Sequence, residues 1–328
     1  MAVEQLVYAW LEKGRGVDPE MSGFQVAAVS PGLEDETRKV VAAISRHLKD
    51  TVYGNAGKEA LEAEARWRAE NPEDPEPPEE VRSGFPAAYS YLALDEKRFA
   101  LTRAVYAGLC GDKARSGNVL SHTLVLEAGD LAPLAYRPLG LVGSGVFIDA
   151  PPDSPELPAL ATLKNHAASR PDYALLRKAP FAGQVATMVT ALSGCVTDGP
   201  VVVLCLPSWR VAPGFVDALT SLLPPGARTA VTFTTLETDR SWRPEGLEHG
   251  REGEPPYRLV THCARASEDF GLAPEHYRKH RVYNFVGNRH STGLAESEFA
   301  RLAARSLEEG RLEPVRRFHK LCLRLGME

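Results

Sequence analysis

The chain has 328 residues, enough to bury two separate cores, so two domains are the expectation. A composition of 44% hydrophobic and 25% charged residues is that of a folded globular protein and excludes a largely disordered one. The formal net charge of -5 gives no electrostatic case for a nucleic-acid binder, which would concentrate Lys and Arg against phosphates.

In chain order, the apolar or alternating runs Gln5 to Trp10 and Phe24 to Val29 predict two strands, separated by the turn Lys13-Gly14-Arg15-Gly16. Pro31-Gly32 ends the second. From Glu34 the apolar positions Val40, Val41, Ile44 and Leu48 recur at helical spacing, with acids first and Arg46, His47 and Lys49 last, as the helix dipole prefers. Ala60 to Glu70 predicts another helix. Residues 71–80 are almost entirely Pro and acid, which suits an exposed loop; an acidic docking segment is the alternative. Ala87 to Leu94 and Arg98 to Tyr106 read as a hairpin around Asp95-Glu96-Lys97, and Val119 to Leu126 as a further strand.

The turn-forming stretch Ala150-Pro151-Pro152-Asp153-Ser154-Pro155 reads as a linker, dividing the chain into domains 1–149 and 150–328. Beyond it, Phe181 to Ser193 is helical in pattern, Val201 to Leu206 is a fully apolar strand, Gly214 to Leu223 a helix and Thr229 to Thr234 a β-branched strand. That order is a βαβ unit with parallel, buried strands. Leu294 to Leu307 and Pro314 to Leu325 complete the chain as helices. The fold class is therefore mixed α/β, with a first domain that is more antiparallel.

The five cysteines, Cys110, Cys195, Cys205, Cys263 and Cys322, are odd in number and far apart, and they read as free thiols in a reducing compartment. The N-terminal residues lack the pattern of a secretory signal, and no window approaches the roughly 18 apolar residues of a membrane span. A cytoplasmic location is the expectation.

The turn Pro207-Ser208-Trp209-Arg210-Val211-Ala212-Pro213-Gly214 lacks the glycine spacing and Lys-Ser/Thr pair of a phosphate-binding loop, and Gly143-Ser144-Gly145 matches no motif. His276 and His280 have the i, i+4 spacing of two zinc ligands. Between them, however, stand Tyr277, Arg278 and Lys279, two of them cations and none a general base, which suits a solvated basic helix better. The sequence predicts neither a metal nor a cofactor.

The densest polar constellation runs from Tyr106 to Thr123. Three glycines interrupt the backbone between two strands, while Asp112, Arg115, Asn118, Ser121 and His122 supply charges, an amide, a hydroxyl and an imidazole. Two readings stand. In the first, Asp112 pairs with Arg115, Asn118 caps a turn and His122 is a satisfied strand residue. In the second, Arg115 projects toward a partner's phosphate, which its planar guanidinium fits. Ser121 and His122 cannot act together as nucleophile and base, because strand neighbours face opposite ways. Near the C-terminus, Val315, Phe318, Cys322 and Leu325 share one helical face and Arg316, Arg317, Lys320 and Arg324 lie elsewhere. This basic amphipathic helix docks on its own domain or, alternatively, on a partner helix or a membrane surface.

Several segments taken together resemble the N-terminal domain of bacterial GTPase-associated proteins: Gln5-Leu6-Val7-Tyr8-Ala9-Trp10, Ser22-Gly23-Phe24-Gln25-Val26, Phe85-Pro86-Ala87-Ala88-Tyr89-Ser90, Tyr106, Arg115-Ser116-Gly117-Asn118 and Ser121-His122. Leu222-Leu223-Pro224-Pro225, Arg228 and Val231-Thr232-Phe233-Thr234-Thr235 resemble the middle domain of the same proteins. The resemblance implies association with a small GTPase or a multi-protein assembly, in systems of biological conflict or signalling. The leading expectation is a non-enzymatic adaptor or regulator that uses Tyr106, Asp112, Arg115, Asn118, Ser121 and His122 for partner binding. The competing one is an enzyme for a small or nucleotide-like substrate, with His122 as acid or base and Arg115 or Asn118 holding an anion.

Overall fold

A computed structural model describes residues 2–54, 58–73, 78–107, 118–163, 166, 170–196, 199–237, 256–263, 272 and 274–326. The chain forms two compact units. The first comprises Met1–Asp130, Gly145–Asn165 and Thr238–Glu254; the second comprises Leu131–Ser144, His166–Glu237 and Pro255–Glu328.

The first unit contains β1 (Glu4–Leu11), β2 (Gly23–Val29), α1 (Asp35–Gly54), α2 (Lys58–Glu70), α3 (Glu79–Arg82), β3 (Ala88–Ala93), β4 (Arg98–Tyr106) and β5 (Val119–Glu127). The strands run β3-β4-β5-β1-β2 and every pair is antiparallel. β3 and β4 are joined by a tight turn in which the Asp95 carboxylate accepts from the Lys97 and Arg98 N–H groups at 2.8 Å each, which suits an antiparallel pair. The turn between β1 and β2 depends on glycine at one position. Gly16 has φ +81°, and a Cβ there would lie 2.7 Å from Leu11 Cδ1.

β5 is the central strand and is buried from Val119 to Leu126. One face meets α1, which buries Val40, Val41, Ile44, Leu48 and Val52. There Thr123 Oγ1 bonds Thr102 Oγ1 at 2.8 Å and the Ser121 hydroxyl donates to the Ser45 carbonyl at 3.2 Å. Toward the other face, Leu120 packs with Val7, Ala9, Leu11, Ile148 and Leu157. Residues 145–160 thus cover the sheet. They are tied to its strands by reciprocal bonds between Val3 and Leu160 (2.8 and 2.9 Å) and by the Val29 N–H to the Pro155 carbonyl (3.0 Å). The turn-rich stretch Ala150 to Pro155 is therefore bonded into the first unit.

The second unit contains α4 (Val185–Cys195), β6 (Val202–Leu206), α5 (Ala212–Ser221), α6 (Pro225–Ala230), β7 (Phe233–Thr234), β8 (Leu259–Cys263), α7 (Pro274–Lys279), β9 (Arg281–Asn284), β10 (Arg289–His290), α8 (Glu298–Glu308) and α9 (Glu313–Arg324). Its strands run β10-β9-β6-β8-β7. All neighbours are parallel except β10 with β9. β6 is buried at every residue, as expected of a parallel strand flanked on both sides.

Two expectations shift. Thr229 to Thr234 is not one strand: Pro225 opens α6, which holds Thr229 and Ala230, and the Thr229 hydroxyl bonds back to the Gly226 carbonyl at 2.9 Å. Only Phe233 and Thr234 pair with β8, which lies between β6 and β7. α8 begins at Glu298, later than Leu294, because Ser297 is its N-cap and accepts from the Ala300 N–H at 3.1 Å.

Candidate functional site

β4 and β5 stay paired to their ends, with Tyr106 opposite Val119 and the Ala107 N–H donating to the Asn118 carbonyl at 2.7 Å. The paired strands define the root of the connection in which the sequence places its polar constellation. Asp112 and Arg115 lie outside the described residues. Tyr106, Asn118, Ser121 and His122 are all buried, and they are held by separate sets of partners.

Tyr106 closes β4 against α2. Its ring stacks on Phe85 at 3.8 Å between centroids, and Phe85 stacks in turn on Tyr53 at 6.1 Å. The hydroxyl donates to the Glu64 carboxylate, which also takes a charge-assisted bond from Arg68 one helical turn later. Glu64 is only 2% exposed, so the arginine and the phenol together satisfy a carboxylate that burial would otherwise penalise. Burial, followed by the Glu64 carboxylate, pushes the Tyr106 hydroxyl far above its ordinary range and keeps it a donor.

His122 belongs to a different network. Its Nδ1 accepts from the Ile148 N–H at 3.1 Å, which leaves Nε2 to donate to Gln5 Oε1 at 3.0 Å. The Gln5 amide donates in turn to the Pro158 carbonyl at 2.6 Å. Phe147 meets the imidazole edge-on at 5.7 Å, and Arg103 lies over Phe147 while pairing with Asp149 at 2.7 Å. Burial, with the Arg103 charge next, lowers the His122 pKa to about 4, so the ring is neutral near pH 7. Both ring nitrogens are engaged inside the first unit, where they fasten residues 145–160 to β5 and β1. Ser121, on the opposite face, bonds α1.

Sequence reasoning missed Gln5, Glu64, Arg68 and Arg103. The i, i+4 spacing of Glu64 and Arg68 is visible in the sequence, but it is the ordinary spacing of a surface pair, and only the docking of α2 buries it. In the second unit Arg228 is buried. It donates to the carbonyls of Leu223 (2.8 Å), Ala135 (2.7 Å) and Ser221 (2.6 Å) and to His319 Nδ1 (2.8 Å), while His319 Nε2 donates to the Leu222 carbonyl at 3.1 Å. Burial lowers Arg228 to about 10 and, with the nearby Arg228 charge, lowers His319 to about 4. Arg137 forms a bidentate pair with Asp217 beside this cluster, and Ala135 and Tyr136 both hold left-handed backbone (φ 54° and 59°). The bond from Arg228 to the Ala135 carbonyl fixes that unusual turn.

α7 ends at Lys279, and the His280 N–H donates to the His276 carbonyl at 2.8 Å. Among the described residues no three His, Cys, Asp or Glu side chains are grouped to hold a metal ion, and no helix is long and apolar enough to cross a membrane. Of the cysteines, Cys195, Cys205, Cys263 and Cys322 are free thiols, and Cys110 lies outside the described residues.

The fold is mixed α/β, and its first unit is an antiparallel sheet with β5 at its centre. Residues 2–163 match the family described as GTPase-associated protein 1, N-terminal domain type 2, and this part of the chain belongs to it. The match covers the antiparallel sheet and residues 145–160. The segment from Leu222 to Thr235 that resembles a middle domain lies beyond it. No curated protein and no solved structure matches the chain.

Proposed function

We propose that this protein is a non-enzymatic adaptor or regulator of a small GTPase, acting alone or within a larger assembly in a bacterial conflict or signalling system. The β4 to β5 connection is its contact region. The observation that carries this reading is the family match over residues 2–163, since that family is described by its association with a GTPase. The local geometry supports the choice of region. Tyr106, Asn118, Ser121 and His122 are buried at the root; of the charged residues between Ala107 and Asn118 in the sequence, Asp112, Lys113 and Arg115, we assign Asp112 and Arg115 to the partner. A guanidinium there would suit a nucleotide phosphate or the charge that develops during hydrolysis. His122 contributes by holding β5, not by acid–base chemistry, because neither of its nitrogens is free to face a substrate.

The test is a pull-down of tagged protein from its native cell extract in GTP and in GDP, read by mass spectrometry. Wild type is expected to retain a small GTPase in one nucleotide state, and Arg115→Ala to lose it with an unchanged thermal midpoint. Folded wild-type protein that captures no GTPase in either nucleotide contradicts the proposal.

A further inference from the structure

Seven large hydrophobic side chains are exposed among the described residues, and four of them, Leu302, Leu321, Leu323 and Leu325, lie on or at the end of α8 and α9. The two helices form a hairpin. Gly310 takes φ +69° after α8, the Arg311 N–H returns to the Ser306 carbonyl at 2.8 Å, and Pro314 lies in the first turn of α9. α9 directs Val315, His319 and Cys322 inward, while α8 buries Ala300, Ala303 and Leu307. Along the seam the rings of Phe299 and Phe318 meet tilted, 4.7 Å between centroids. Leu302 stands three residues after Phe299, and Leu321 and Leu325 stand three and seven after Phe318. The leucines therefore extend this ring pair outward as a row at helical spacing. Leu321 is 50% exposed and Leu325 62%.

The border of this row is basic. Arg301 and Arg305 on α8 and Arg317, Lys320 and Arg324 on α9 are exposed. From Glu298 to Gly326 seven basic and four acidic side chains give a net charge of +3, in a chain whose total is -5.

We infer that the α8–α9 face is a docking site for an amphipathic helix of a partner protein, with an apolar row on the seam leucines and acidic side chains opposite the basic border. Three features select this occupant. A row at i, i+3 and i+7 has the width and period of one helix laid in a groove. A second copy of this chain would bring the same positive border against itself. A bilayer would need the broad apolar face of a helix lying in the interface, and α9 has already spent that face on its own unit. The site lies outside residues 2–163 and is independent of the contact proposed for the first unit.

The test uses two fluorescent helical peptides of roughly 18 residues with the same leucine row at i, i+3, i+4 and i+7, one flanked by Glu and one by Lys, titrated against the full chain by anisotropy. Vesicles containing phosphatidylserine serve as the membrane arm. The Glu peptide is expected to bind at least tenfold more tightly than the Lys peptide. Leu321→Ser with Leu325→Ser should abolish that binding at an unchanged thermal midpoint, and Arg317→Glu with Arg324→Glu should transfer the preference to the Lys peptide. Equal binding of the two peptides, binding of neither, or binding to vesicles alone overturns the inference.

Discussion

The two units each contain a buried histidine bonded through both ring nitrogens, and they use it differently. In the first unit His122 joins neutral groups: the Ile148 N–H at one nitrogen and the Gln5 amide at the other. In the second, His319 takes a bond from the guanidinium of Arg228, which also gathers three backbone carbonyls. The first arrangement fastens two pieces of chain. The second concentrates a buried charge where the chain turns sharply, with the Arg137–Asp217 pair beside it. A buried cation with only neutral acceptors is the more costly to disturb, because every acceptor loses its donor at once.

The largest effect should follow from Arg228→Met, which leaves three carbonyls and His319 Nδ1 without their common donor. A loss of about 3 kcal/mol or more in urea unfolding is expected, and a loss below about 1 kcal/mol would show that the cluster relaxes around the gap. Acid should come next. Both histidines have folded pKa values lowered to about 4, against about 6.5 when unfolded, so the unfolded chain binds more protons between those values. The stability these rings contribute is present above pH 6.5 and is lost as pH falls toward 4. His122→Gln should flatten the pH dependence of the melting midpoint in that window, and an unchanged slope would place the titration elsewhere. Tyr106→Phe should cost about 1–3 kcal/mol, since Glu64 loses the phenol but keeps Arg68; a double-mutant cycle with Glu64→Gln would measure the coupling. The smallest effect belongs to Arg317→Ala. Its pair with Glu313 is exposed, and the midpoint should not move measurably.

Local pattern made much of this fold legible. The alternation and apolar runs of β1, β2, β4, β5 and β6 are strong signals, and each of these strands formed within a residue of its expected bounds; the periodicity of α1 marked its start, but the helix runs on past Lys49 to Gly54. Three short strands, β8, β9 and β10, went unread. β8, five residues, and β9, four residues, are too brief to show a period and form only because β6 offers both edges to parallel partners. The β-branched run at Thr229 misled because two prolines ahead of it start a helix, a stronger constraint than strand propensity. The polar networks were illegible for a different reason: their partners lie far apart in sequence, as Gln5 does from His122, Glu64 from Tyr106 and Arg228 from His319. Residue types identified the polar segment between β4 and β5, but only the folded chain shows that Tyr106, Asn118, Ser121 and His122 are buried supports.

The most direct test compares Arg115→Ala with His122→Gln for binding to the GTPase recovered with wild type, each variant scored also for its melting midpoint. If Arg115 meets the partner and His122 only holds the sheet, Arg115→Ala melts like wild type and loses binding, whereas His122→Gln melts lower and, below its transition, still binds. The opposite pattern, with binding kept by Arg115→Ala and lost by a folded His122→Gln, would contradict that division of roles.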